Sequence, residues 1–192
     1  AFESGDKRKT ASIIDLVGEG IESSFDLKDQ REYTGYTVKK YTPMAFYDGT
    51  SASKADGSGD FQTSQHQDFV VVRYADVLLM AAELGSSNAQ LYFDKVRSRA
   101  GLTTKEPSQE NIMKERFVEF AFEGQRYWDL LRQGIDVASS TIAESGIELK
   151  SGGNPDVITI TADKIKTTKG FCQIPSTQIT LSDNVLKQNA GW

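Results

Sequence analysis

Between Val70 and Gly134 apolar residues recur at helical spacing, and glycines punctuate them. Tyr74, Val77, Leu78 and Ala81 fall at i, i+3, i+4 and i+7, which places them on one face of a helix. Gly85 follows where a chain leaving a helix needs a left-handed residue. A second stripe, Ala89, Tyr92, Phe93, Val96 and Ala100, stops at Gly101, and Ser87-Asn88-Ala89-Gln90 ahead of it fits a capping box. The connection is only a few residues long, so the two form an antiparallel helical hairpin over about 73–100. A third helix is predicted over about 109–123, with Met113, Phe117, Phe120 and Ala121 on one face. Gly124 interrupts it, and a short continuation runs to 132.

Outside this helical core, about 70–134, the pattern weakens. Ile13 to Val17, residues 31–41 and Val157 to Thr161 read as short strands, and Phe171 to Ile174 as another, broken at Pro175. Residues 50–60, TSASKADGSGD, read as a polar loop, and residues 135–156 as irregular with a turn at Gly152-Gly153-Asn154-Pro155. The expectation is a single mostly α domain of tetratricopeptide-like helical hairpins, with irregular loops and a few short strands. The hairpin is about the size of one such repeat unit.

Charge changes the picture in one place. Along the third helix and its continuation run Glu115, Arg116, Glu119, Glu123, Arg126, Asp129 and Arg132. Glu115, Glu119 and Glu123 recur every fourth residue and so share a helix face. Carboxylates so placed can serve a glycosidase. Here each acid has an arginine within three or four residues on the same helix, and pairing holds a carboxylate ionised, which unfits it as a general acid. Arg116, Glu119, Glu123, Arg126 and Asp129 are therefore read as a partly buried ionic network that joins helices.

The remaining chemistry is sparse. Net charge is −5, which offers nucleic acid and anionic lipid no attraction. No apolar run approaches the 18 or so residues of a membrane-spanning helix. Cys172 is the sole cysteine and reads as a buried inert thiol, and Trp128 and Tyr127 read as core. His66, the sole histidine, lies in the polar stretch TSQHQD. No metal-ligand spacing, phosphate loop or nucleophile elbow is present, so no catalytic residue, metal or cofactor is expected. The candidate ligand contacts are Phe46 and Tyr47 with the acceptor Asp48, between Pro43 and Gly49 on a predicted loop. Flat rings stack on sugar faces at little entropy cost.

Four segments resemble the C-terminal half of the SusD/RagB family, the outer-membrane nutrient-binding lipoproteins of Bacteroidetes. They are Val72-Arg73-Tyr74-Ala75-Asp76-Val77-Leu78-Leu79-Met80 with Ala82-Glu83; Val96-Arg97-Ser98-Arg99-Ala100-Gly101-Leu102; the pattern Glu115-Arg116, Glu119-Phe120, Phe122-Glu123-Gly124, Arg126, Asp129-Leu130 and Arg132; and Ile174-Pro175 with Gln188-Asn189-Ala190-Gly191-Trp192. Thr34-Gly35-Tyr36 and Lys40-Tyr41 add to them. Met80-Ala81-Ala82-Glu83 departs from the family by lacking its tyrosine.

The resemblance implies a SusD-like fold and a chain that is the C-terminal portion of a longer protein, with the signal peptide and lipidated cysteine in the missing half. It implies a cell-surface glycan-binding protein that does not cleave its ligand and acts as partner and lid of a SusC-like TonB-dependent transporter. Membrane attachment is expected only through the lipid anchor. The rival expectation is a helical scaffold that mainly docks the transporter, with ligand contacts in the missing half. A carboxylate-based hydrolase ranks far below both.

Overall fold

The computed structural model describes residues 1–20, 33–41, 70–151 and 154–192. The chain divides into two compact units, Ala1–Glu22 with Gly35–Gly124, and Ser23–Thr34 with Gln125–Trp192. The first holds α1 (Arg8–Ser12), β1 (Ile13–Asp15), β2 (Tyr36–Val38), α2 (Tyr74–Glu83), α3 (Ala89–Arg99) and α4 (Gln109–Glu119). The second holds α5 (Arg126–Arg132), α6 (Ile135–Ile142), β3 (Glu144–Ser151), β4 (Asn154–Ile160), α7 (Ala162–Thr168) and α8 (Ser176–Leu181). Helices dominate, as the periodicity predicts. The strands form two small antiparallel sheets, β1–β2 and β3–β4.

The α2–α3 hairpin closes as expected, because both helices end on a left-handed glycine. Gly85 has φ +73°, and the Ser86 and Gly85 N–H groups donate back to the Ala81 and Ala82 carbonyls. Gly101 has φ +83°, with Leu102 and Gly101 donating to Arg97 and Ser98. This double bond pattern satisfies the last carbonyls of each helix. The capping box does not form: Asn88 is the N-cap of α3, and the Gln90 amide instead donates to Asp94, Thr104 and the Lys105 carbonyl.

α2, α3 and α4 enclose the core of Leu78, Leu79, Ala82, Phe93, Val96, Ile112, Met113 and Phe120, with Ala89 and Tyr92 packed against it. On α3 the buried stripe is the expected one. On α2 it is turned by one residue: Ala75, Leu78, Leu79 and Ala82 face inward, while Tyr74 and Val77 face solvent. α2 is apolar on two faces, so period alone does not choose between them. Asp76 decides it, since its carboxylate turns inward to Arg116. Tyr74, Val77, Met80 and Leu84 are left as an exposed apolar stripe.

α4 ends at Glu119, four residues earlier than predicted. Phe122 and Gly124 both take left-handed conformations, φ +67° and +75°, so the chain leaves the helical path before Glu123. In the second unit, residues 135–142 are helical and β3 and the start of β4 occupy 144–151 and 154–156, where an irregular stretch was expected. Ile135, Ala138 and Ile142 do fall at helical spacing, in a run of only eight residues. Residues 171–174 are not a strand. Side chains of the C-terminal tail satisfy their backbone instead: Trp192 Nε1 donates to the Phe171 carbonyl, Asn189 Nδ2 to Cys172, and the Gln188 amide bonds both the N–H and the carbonyl of Ile174. Cys172 is exposed rather than buried, and Trp128 is 67% exposed rather than core.

Candidate functional site

Among the described residues, the densest chemistry lies in the first unit, where charged side chains from distant stretches converge on α4. Glu115 and Glu119 are one helical turn apart and both 2% exposed. Arg8 Nη1 donates to Glu115 Oε1 at 2.6 Å and to Glu119 Oε2 at 3.1 Å, and its other nitrogens hold Asp6. Arg97 Nη1 donates to Glu115 Oε2 at 2.8 Å and to Glu3 at 2.9 Å. Arg73, at the N-cap of α2, bonds Glu119 and grips Glu123 through Nε and Nη2. Arg99 adds to Glu119, and Lys40 reaches both Glu123 and the Glu119 carbonyl. Phe120 sits between the guanidinium groups of Arg73 and Arg116, 4.6 and 4.9 Å from its ring centre.

Glu115, Glu119 and Glu123 find their partners on other segments, whereas Asp129 pairs with Arg132 along its own helix. Glu119 and Glu123 are brought together through Arg73. Arg116 turns to Asp76. Arg126 and Asp129 lie in the other unit, where Asp129 accepts from Arg132 at 2.8 Å. Sequence reasoning missed Asp6 and Arg8 altogether, because the N-terminal stretch shows no periodicity. The signal that was available is the Arg73, Arg97 and Arg99 positions inside the matched segments, each within reach of an acid only once the hairpin folds.

The electrostatics are those of a saturated cluster. Burial pushes the Glu119 carboxyl up, but Arg73, Arg8 and Arg99 more than reverse it, and its pKa lies below the ordinary carboxylate value. Glu123 behaves likewise under Arg73 and Lys40, and Asp6 under Arg8. Hydrogen bonds from Arg97 and Lys105 lower Glu3 to about 2. No buried side-chain nitrogen or oxygen among the described residues lacks a hydrogen-bond partner. Such carboxylates are ionised and paired at neutral pH, with no proton to give. A cavity of about 210 Å³ beside the cluster is lined by Glu3, Asp6, Arg97, Lys105, Glu115 and Phe117 among others. That is below the roughly 300–1,000 Å³ of ordinary ligand pockets, and its acids are already paired. The described residues contain no group of three or more His, Cys, Asp or Glu side chains able to hold a metal. Phe46, Tyr47 and Asp48 lie outside the described residues.

A family model described as the SusD family matches residues 18–192. The chain is 25% identical over 212 residues to SusD-like protein P2 of Formosa agariphila, a match that covers all of this chain and 38% of that protein. Its fold is similar to that of surface glycan-binding protein A from Bacteroides thetaiotaomicron in complex with laminarihexaose, with TM-score 0.68 and 26% identity over 100% of this chain and 39% of that one. It is also similar to a laminarin binding SusD-like protein, with TM-score 0.68 and 28% identity over 98% of this chain and 36% of that one. The chain thus spans under two-fifths of the length of these relatives.

Two outcomes test the ionic cluster. Removing one member of a buried pair leaves an uncompensated charge and costs about 3–5 kcal/mol, against about 0–1 for an exposed pair. Glu123→Ala is expected to show the large loss in urea unfolding, and Lys114→Ala, which breaks the exposed pair with Glu110, the small one. Equal losses contradict the assignment.

Acid provides the second test. The folded pKa values of Glu3, Asp6, Glu119 and Glu123 lie below their unfolded ones, so the unfolded chain binds protons first as pH falls. Their contribution is complete above the ordinary carboxylate range, about 4, and is lost as pH drops toward about 2, where Glu3 protonates. Thermal melts are expected to give a level Tm from roughly pH 6 to 8 and a steep fall below roughly pH 4. A Tm at pH 3 equal to that at pH 7 contradicts this.

Proposed function

The chain belongs to the SusD family, and from that membership we propose that it serves a cell-surface glycan-binding protein that works as partner and lid of a TonB-dependent outer-membrane transporter. The observation that carries the reading is the likeness, over the whole chain, to a glycan-binding protein bound to laminarihexaose. In this reading the protein binds oligosaccharide and passes it on without cleaving it. The carboxylates of α4 support the non-catalytic role, because each is engaged by arginine or lysine. Attachment at the outer membrane is by a lipid anchor outside these 192 residues; no helix among the described residues is long and apolar enough to cross a membrane.

For the contacts, Phe46 and Tyr47 supply flat apolar faces and Asp48 a hydroxyl acceptor. A second reading has this portion act mainly as scaffold for the transporter, with the ligand held elsewhere in the protein. It is favoured by one observation, the exposed apolar stripe Tyr74, Val77, Met80 and Leu84 on α2. Calorimetry with laminarihexaose separates the two. The first reading expects saturable heat, weakened in Tyr47→Ala with Tm unchanged, and no new reducing ends after prolonged incubation. Heat that is unaltered in Tyr47→Ala removes the loop from the site. Release of reducing ends that stops on mutating Glu119 overturns the non-catalytic reading.

A further inference from the structure

The second unit carries aromatic rings that the fold does not bury. Trp128, Phe171 and Trp192 are 67%, 62% and 49% exposed. Trp192 is tied to the fold by a hydrogen bond, and Trp128 meets a second ring. Tyr127, whose ring meets Trp128 edge-on at 5.4 Å, donates its hydroxyl to the Gly170 carbonyl. The next carbonyl, that of Phe171, accepts Trp192 Nε1 at 2.9 Å. Gly170 has φ +75°, and a Cβ there would lie 2.5 Å from Leu131, so only glycine lets this turn seat against α5 and lift Phe171 outward. Gly191, φ +86°, lies close to Thr167 and Thr168 of α7, where a Cβ would meet them at 2.9 and 3.0 Å, and sets the backbone that carries Trp192. Trp192 is thus bonded to the Phe171 backbone, and Tyr127, the ring beside Trp128, to the neighbouring backbone of Gly170.

Polar groups lie among the rings. The Lys164 ammonium stands 4.0 Å from the centre of the Trp192 ring and bonds the Gly191 carbonyl, which leaves donor capacity on the same nitrogen. Gln173 is exposed beside Phe171, and Asn189 is fixed on the Cys172 carbonyl. Exposed aromatic faces interspersed with amide and ammonium donors match a pyranose, which has apolar C–H faces and a rim of hydroxyls. Trp192 is already held through its Nε1, so stacking a sugar on it forfeits little side-chain entropy. The chain's charge of −5 tells against a nucleic acid strand as the occupant.

We propose that Trp128, Phe171 and Trp192 form an oligosaccharide-stacking surface. It rests on the glycan-binding reading above and adds to it a second point of contact, one suited to several consecutive sugar units of an extended chain.

The sequence supplies its own reporter, since Trp128 and Trp192 are the only two tryptophans in the chain. Laminarihexaose is titrated into the 192-residue chain with tryptophan emission and calorimetry followed in parallel. The expected result is an emission change that saturates with the heat, and roughly tenfold weaker affinity in Trp128→Ala and in Phe171→Ala at unchanged Tm. Heat without an emission change, and with affinity intact in both variants, overturns this surface and leaves the glycan reading standing. No heat with laminarihexaose, maltohexaose or cellohexaose removes both. If sedimentation shows self-association that the same variants abolish while glycan affinity stays intact, the surface belongs to a second copy of the chain, and the proposal fails.

Discussion

Glu115 and Glu119 lie on α4 with almost no solvent contact, and guanidinium groups from α1, from the start of α2 and from α3 close on them. Bringing even one such charge out of water costs several kcal/mol unless partner charges meet it. The cluster therefore ties segments far apart in sequence into one arrangement: Arg8 reaches Glu115 across 107 residues, and Arg73 reaches Glu123 across 50. A purely apolar interface of the same helices would tolerate a shift by one turn. A network in which every buried nitrogen and oxygen has a partner does not, because a shift would orphan several at once.

The same constraint explains what could be read from the sequence and what could not. Helical periodicity and terminal glycines locate α2, α3 and α4, because those signals are local. The face that α2 buries is not local. Tyr74, Val77 and Ala81 compete with Ala75, Leu79 and Ala82, and the outcome turns on Asp76 meeting Arg116 from another helix. The end of α4 is misjudged for a similar reason. Glu123 continues the every-fourth-residue pattern, but its carboxylate is held by Arg73 and Lys40 after the chain has turned at Phe122. The ionic residues themselves were visible as a motif, while their partners were not, since Asp6 and Arg8 lie in a stretch without periodicity.

The second unit misleads in another way. Residues 171–174 have the composition of a strand, and the Phe171, Cys172 and Ile174 carbonyls are indeed paired. The partners are the side chains of Gln188, Asn189 and Trp192 in place of a neighbouring strand. This gives the ending Gln188-Asn189-Ala190-Gly191-Trp192 a structural task that its resemblance to a family motif does not itself explain. Paired charge lies at the centre of one unit, and exposed rings lie on the surface of the other.

The claim on which this account turns is that the buried charges act as coupled partners and not as separate polar residues that happen to be enclosed. A double-mutant cycle on Arg97 and Glu115, which meet at 2.8 Å with both side chains 2% exposed, measures that coupling directly. Urea unfolding of Arg97→Met, Glu115→Gln and the double variant is expected to give a coupling energy of about 2–3 kcal/mol, well above the roughly 0.2–1 of exposed pairs. Additive losses, with coupling below about 0.5 kcal/mol, would contradict the account.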